Sequence, residues 1–210
     1  MIGRVRRVLY YRRCLDLFTA SSSQEASLPH DYEQFSFRPL SVNDFSADAL
    51  FREKNRFSKF VKRLASGHQC FGFVEPGGQI VAYFWLSIAH DASTTVPLAG
   101  ALSFQIDPGH AYVWDCRTRE SHQGRGLYRE GLRRAQALAF TLGARSASIV
   151  CNADNLASRM GILAAGFTHH TTVEVFRVFG LWIVKDKVRS AYLPSWRPVL
   201  PLSDFLCLPA

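Results

Sequence analysis

The residues best suited to chemistry in this chain lie in one run, His122-Gln123-Gly124-Arg125-Gly126-Leu127-Tyr128. Just before it, Tyr112 to Thr118 alternates as a strand does. Ala111, Val113, Asp115 and Arg117 are expected on one face, and Tyr112, Trp114, Cys116 and Thr118 on the other. After it, Leu127, Gly131, Ala135, Leu138 and Leu142 recur at helical spacing, and Gly143 supplies a stop. A strand that turns through glycines into a helix gathers unpaired backbone N–H groups and the positive end of the helix dipole at one point. That point suits an anion. Gly124 and Gly126 lack the Cβ that would keep a phosphate off the backbone, and Arg125 adds positive charge. The same residues also suit a tight connection that binds nothing, and a glycine pair alone does not separate the two readings. The run is not a Walker loop, because no Gly-Lys-Ser/Thr follows. It is not a dinucleotide fingerprint, because the third glycine is missing.

A second cluster lies downstream. Ala144 to Cys151 reads as a buried strand. Asn152-Ala153-Asp154-Asn155 then opens a short helix through Leu156, Met160, Leu163 and Ala164, closed by Gly166-Phe167, with Asn155 as a natural N-cap. Gln123-x-x-Gly126, then Asn152, Asn155 and Ser158, then Gly166-Phe167 together resemble the GNAT superfamily of acyl-CoA-dependent N-acyltransferases, over about residues 35 to 185.

The resemblance implies an α/β (α+β) fold: a central mixed, mostly antiparallel sheet, splayed at the cofactor site, with helices on both faces. It implies acetyl-CoA as acyl donor and a primary amine as acceptor, such as an amino sugar or another small amine, joined by direct attack in a ternary complex. Backbone N–H groups of Gln123, Gly124, Arg125, Gly126 and Leu127 would surround the pyrophosphate, with Arg125 or Arg129 on phosphate. Cys116, Arg117 and Thr118 would meet the pantetheine and thioester, and Asn155 and Ser158 would lie along the pantetheine.

Such a reaction needs a neutral amine, hydrogen-bond donors for the carbonyl oxygen and a proton for the departing thiolate. Asp115 stands where the family often carries an acid that serves as base or relays to one. Flanked by Trp114 and Cys116, it is expected to be buried; an ion pair with a neighbouring arginine is the equal alternative. Two positions depart from the family pattern. Tyr128 stands where the loop usually ends in Gly or Ala. Ile162 stands where many members carry the tyrosine that protonates the thiolate. Tyr128 is the first candidate to replace that donor, with Cys151, His169 and His170 behind it. The loss also leaves open a non-catalytic acyl-CoA-binding or regulatory protein.

Other stretches must position these residues. Phe35 to Leu40 alternates as a strand, and Ser41 to Asp44 turns into one helical region from Phe45 to Leu64. Its apolar face is Leu50, Phe51, Phe57, Phe60, Val61 and Leu64, and its polar face Lys54, Lys59, Lys62 and Arg63. Phe57 and Phe60 are read as core, with contact to the acceptor as the lesser alternative. Cys70 to Glu75 and Gln79 to Ile88 form a hairpin through Pro76-Gly77-Gly78. Ala89 to Gly109 is a long loop with a short strand at Leu102 to Ile106, placed to cover the acceptor cleft. Thr168 to Phe179 and Leu181 to Val188 make a last strand pair, and His169-His170 falls on it as structure, with no metal site expected.

Composition bounds the rest. A chain of 210 residues with 48% hydrophobic and 20% charged residues is globular, and its formal charge of +8 suits an anionic ligand or surface. The aromatics lie outside the basic clusters, which argues against nucleic acid. Five scattered cysteines fit free thiols in a reducing compartment, so a cytoplasmic protein is expected. The organisation expected is a basic extension and linker over 1–30, with a short strand from Cys14 to Phe18, an acyltransferase domain over 31–188 and a Pro-rich tail over 189–210. The arginines of Met1 to Arg13 suit a solvated terminus or peripheral contact with an anionic membrane. The extended, apolar tail would pack on its own domain or on a second subunit in a homodimer.

Overall fold

A computed structural model of the chain describes residues 10–21, 32, 34–48, 54–91, 93–97, 103–178, 181–186 and 196–198. Its strands are β1 (Tyr10–Ser21), β2 (Ser36–Pro39), β3 (Gln69–Val74), β4 (Ile80–Ile88), β5 (Thr95–Pro97), β6 (Ser103–Ile106), β7 (His110–Thr118), β8 (Ser146–Asn152), β9 (Thr168–Val178), β10 (Leu181–Asp186) and β11 (Trp196–Pro198). Its helices are α1 (Val42–Ala47), α2 (Lys54–Ala65), α3 (Leu127–Thr141) and α4 (Leu156–Ala164). Eight strands form one sheet in the order β10-β9-β1-β8-β7-β4-β3-β2. Every neighbouring pair in it is antiparallel except β7 and β8, which run parallel.

The sheet divides two cores. Phe84, Val113, Leu127, Leu132, Ile149 and Ile162 pack on the side of α3 and α4. Phe45, Phe60, Tyr83, Trp85, Tyr112 and Trp114 pack on the side of α1 and α2. Because β4 is covered on both faces, it reads as a nearly continuous apolar run rather than an alternation.

The expected helix from Phe45 to Leu64 is two helices, and Leu50 and Phe51 lie outside the described residues. Asp44 fixes the start of α1: its carboxylate accepts from the Ser41 N–H at 2.7 Å and pairs with Arg38 at 2.5 Å. Arg38 is the larger cause that holds the Asp44 carboxyl below the ordinary carboxylate range. Asp48 follows α1, buried between both Arg119 Nη2 contacts at 2.8 Å and the Ile80 N–H at 2.9 Å.

β1 lies between β8 and β9, so residues 10–21 belong to the same sheet as the rest, not to a segment in front of it. The stretch expected as a long loop over 89–109 contains β5 and β6. Together with β11 from the tail they form a small antiparallel sheet. Residues 196–198 therefore pack on their own chain. The basic segment 1–9 lies outside the described residues, as do 22–31 and 199–210. Among the described residues no helix is long and apolar enough to cross a membrane.

Candidate active site

β7 and β8 pair only from His110↔Ser146 to Val113↔Ile149. Beyond Val113 the strands part. On its other edge β7 keeps to β4 but shifts register, from Trp85↔Trp114 to Tyr83↔Arg117, so one extra residue is accommodated on β7. Asp115 absorbs it, with φ +41°, the one non-glycine residue with positive φ among those described. The bulge overturns the expected alternation. Asp115 turns toward α2 with Trp114, while Cys116 packs against the core under α3 with Val113. Asp115 is also less buried than expected. Its side chain is 33% exposed and pairs with Arg63 Nη1 at 2.5 Å, the arginine alternative raised above.

The parted strands open a cavity of about 610 Å³. Its walls are the end of β7, the loop before α3, and the first turns of α3 and α4. Of the residues singled out in the sequence, Cys116, Arg117, Thr118, Gln123, Gly124, Gly126, Leu127, Tyr128, Asn155 and Ser158 line it. Asp115 and Arg125 do not. Of the two arginines expected near phosphate, Arg129 lines the cavity, since the first turn of α3 leans it back over the loop as helical side chains lean toward the N-terminus.

At the mouth, Gly126 caps α3 in the left-handed region at φ +76°, with no side chain accepting from the helix. The first hydrogen bond of the helix is Glu130 N–H to Gly126 C=O at 3.0 Å, so the N–H groups before it have no acceptor within the helix. Gly124, at φ +75°, faces open space. Gly126 is more confined: a Cβ there would stand 2.5 Å from the Tyr32 hydroxyl, which donates to Arg125 C=O at 3.2 Å.

Deeper in the cavity, α4 begins as expected, with Asn155 Oδ1 accepting from the Ser158 N–H at 3.0 Å. Ser158 Oγ lies 2.8 Å from the Tyr128 hydroxyl, and the same serine contacts the Cys151 thiol. Burial pushes the Tyr128 phenol above its ordinary value, and the Cys116 thiol likewise. Burial and Asp16 raise Cys151 to about 11. All three are therefore neutral; the phenol keeps its proton, and the same burial makes it a weaker acid than an exposed tyrosine. The Thr118 Oγ1 is buried on the cavity wall without a hydrogen-bond partner. Ile162 is fully buried core and offers nothing to the cavity.

Sequence reasoning gave His122 no role of its own and missed Gly161. His122 lines the cavity while its ring nitrogens lie 2.8 Å from Ser121 Oγ and 2.9 Å from Glu75 Oε1. It sits inside the glycine run, but nothing in its spacing marks it as inward-facing. Gly161 lies one turn after Ser158 and Ala157 on the same face of α4, a signal that helical periodicity does carry. His169 and His170 lie on β9, where His169 Nε2 is 3.5 Å from Asp16.

Over residues 30–161 the sequence matches the acetyltransferase (GNAT) family. The chain belongs to that family. The family implies an acyl-CoA donor. Among curated proteins none matches the chain. Solved structures share the fold at low identity. A GCN5-related N-acetyltransferase from Sphaerobacter thermophilus superposes with a TM-score of 0.55 at 14% identity, over 88% of this chain and 55% of its own. A GNAT-family acetyltransferase from Colwellia psychrerythraea does so at 0.52 and 16%, over 76% and 53%. The glucosamine N-acetyltransferase region of a fungal multi-domain GH3 β-N-acetylglucosaminidase does so at 0.58 and 10%, over 83% and 22%. The chain thus spans about half the length of the first two. An acyl-CoA fits the cavity's chemistry: bare N–H groups and Arg129 at one end suit a diphosphate, and the orphan Thr118 hydroxyl suits the amides of a pantetheine arm.

Proposed function

We propose that this GNAT-family protein moves an acetyl group from acetyl-CoA to a primary amine by direct attack in a ternary complex. The observation that carries the reading is the coincidence of three features in one cavity: the parting of β7 from β8, the start of α3 at Gly126 with no side chain on its first N–H groups, and the Tyr128–Ser158 pair. In this reading the backbone N–H groups of Gly124 to Leu127 hold the pyrophosphate, with Arg129 beside it, and Asn155 and Ser158 flank the pantetheine; the Gln123 N–H, expected among them, donates instead to Glu120 C=O at 3.2 Å. The thioester carbonyl then lies at the end of β7, near Cys116 to Thr118.

The amine nitrogen, neutral when it attacks, forms a bond to the carbonyl carbon. The C–S bond breaks and the thiolate leaves with its electron pair. Tyr128 gives that thiolate a proton, and Ser158 keeps the phenol aimed. The ammonium proton of the adduct passes to Asp115, directly or through water. A thiolate is a tolerable leaving group near neutral pH, so the phenol adds to the rate without being indispensable.

The experiment is a screen of primary amines, amino sugars included, for acetyl-dependent thiol release, run beside a melting-temperature series with acetyl-CoA. Expected is a rise in melting temperature with acetyl-CoA that Gly126→Asp removes, and thiol release with at least one amine. A rise that survives Gly126→Asp would move the donor site elsewhere. A rise with no thiol release for any amine would leave a protein that binds acyl-CoA without transferring the acyl group.

A further inference from the structure

Arg63 has an unusual setting for a helix cation expected to face water. Its guanidinium carbon lies 4.4 Å from the Trp114 ring centre, 5.2 Å from Trp85 and 5.4 Å from Phe60. Three rings hold it in place through their negative faces, and Asp115 receives one of its N–H groups. A guanidinium has five N–H donors in a planar fork. The side chain is 24% exposed, so part of that fork reaches solvent beside the bulge of β7.

The charge around it is lopsided. α2 carries Lys54, Arg56, Lys59, Lys62 and Arg63, and no acid. Arg56 and Arg117 both lie near enough to act, with Asp115, on the Tyr83 hydroxyl, and Asp115 pairs with Arg63. Among the described residues, Asp44 pairs with Arg38 and Asp48 with Arg119. The basic residues of α2 thus form a rim that includes Arg63, an arginine that the aromatic rings do not let swing freely.

This rim lies one residue from the donor cavity. Cys116 lines the cavity on one face of β7, and Asp115, its neighbour, meets Arg63 on the other. An acceptor that meets Asp115 also meets Arg63, its partner at 2.5 Å. Resting on the acetyl-transfer reading above, we propose that Arg63 selects an acceptor amine that carries its own anionic group, a carboxylate or a phosphate. The free edge of the guanidinium binds that anion and leaves the amine at Asp115. A planar fork suits both anions bidentately, which a lysine would not.

The test uses acceptor pairs that differ only in the anion: tyrosine against tyramine for a carboxylate, and glucosamine 6-phosphate against glucosamine for a phosphate. Thiol release should show a KM at least tenfold lower for the anionic member of one pair, which identifies the anion. Arg63→Met should erase that difference while the acetyl-CoA melting shift stays, and Arg63→Lys should restore only part of it. The double variant Arg63→Met/Asp115→Asn, which leaves no uncompensated carboxylate, should also lack the preference. Binding of N-acetyltyrosine against N-acetyltyramine, and of the two N-acetylated sugars, in the presence of CoA, reads the same preference without turnover. It separates failure of this inference from failure of the transfer reading. Equal binding of both members of both pairs, or a preference that persists in Arg63→Met, would overturn it.

Discussion

Gly161 lies so close under the Tyr128 ring that a Cβ on it would stand 2.6 Å from Tyr128 Cδ1 and 3.0 Å from Cε1. The ring cannot easily withdraw, since it packs near Phe84 and its hydroxyl is held by Ser158 at 2.8 Å. Alanine normally favours a helix over glycine by about 1 kcal/mol. Here the clash outweighs that gain, because forcing a buried ring aside costs about 1–3 kcal/mol. Gly161→Ala is expected to lower stability by about 1 kcal/mol and to weaken acetyl-CoA binding, because the displaced ring enters the cavity. Denaturant melts and calorimetric titration measure the two effects. Equal or greater stability with unchanged affinity would show that the ring moves freely.

His110 sets an acid limit on the seam that carries the cleft. It opens β7 where β7 pairs with β8, and its ring nitrogens lie 2.7 Å from Ser146 Oγ and 2.7 Å from Ser148 Oγ. Burial lowers its pKa from 6.5 to about 4. The unfolded chain therefore binds a proton more readily between those values, so this contribution is intact above about pH 6.5 and is lost as pH falls toward 4. The loss amounts to about 3 kcal/mol at one unit per 1.36 kcal/mol. His68, whose pKa is lowered by burial and Arg63, acts in the same direction. His110→Gln removes only the first. Urea melts at pH 7 and pH 4.5 should show wild type losing more stability than His110→Gln across that window; parallel losses would clear His110.

The glycine run, α3 and α4 were legible because each rests on local chemistry. α3 begins at Leu127 after Gly126, Gly143 at φ +92° follows its end, and Asn155 caps α4 as its side chain suggests. The bulge was not. A left-handed residue is usually foreshadowed by Gly or Asn, and Asp115 carries weaker turn chemistry inside an otherwise regular alternation. One slipped residue was enough to exchange the faces of Asp115 and Cys116, since side-chain facing has a period of two. The position of β1 between β8 and β9 depends on pairing across more than a hundred residues, which no local pattern reports. Arg63 was misplaced for a similar reason: helical spacing counts it as polar, and only the tertiary fold brings three aromatic rings beneath it.

Gly124 and Gly126 separate binding from folding. Both have positive φ, so an alanine at either costs about 1 kcal/mol in backbone strain. At Gly124 a Cβ meets nothing within 4 Å, whereas at Gly126 it meets the Tyr32 hydroxyl at 2.5 Å. Gly124→Ala should therefore melt only slightly lower than wild type but bind acetyl-CoA at least several-fold more weakly, since its methyl projects where phosphate would lie. Gly126→Ala should lose both stability and affinity. Calorimetry with acetyl-CoA on both variants decides the matter, and undiminished affinity in Gly124→Ala would place the diphosphate away from this loop.

Asp115 offers a test in which conformation and chemistry can be told apart. Asparagine tolerates the left-handed region better than most residues, so Asp115→Asn keeps the bulge while removing the carboxylate and its pair with Arg63. A base positioned for this reaction contributes about 10²–10⁴ in rate. If Asp115 takes the ammonium proton, Asp115→Asn should lower kcat at pH 7 by at least tenfold with acetyl-CoA affinity unchanged. The deficit should shrink at high pH, where solvent base replaces the carboxylate. If Asp115 serves only to hold Arg63, kcat should persist while KM for the acceptor rises, and the change should not vary with pH. Steady-state kinetics from pH 6 to pH 10 on the variant and wild type separate the two outcomes.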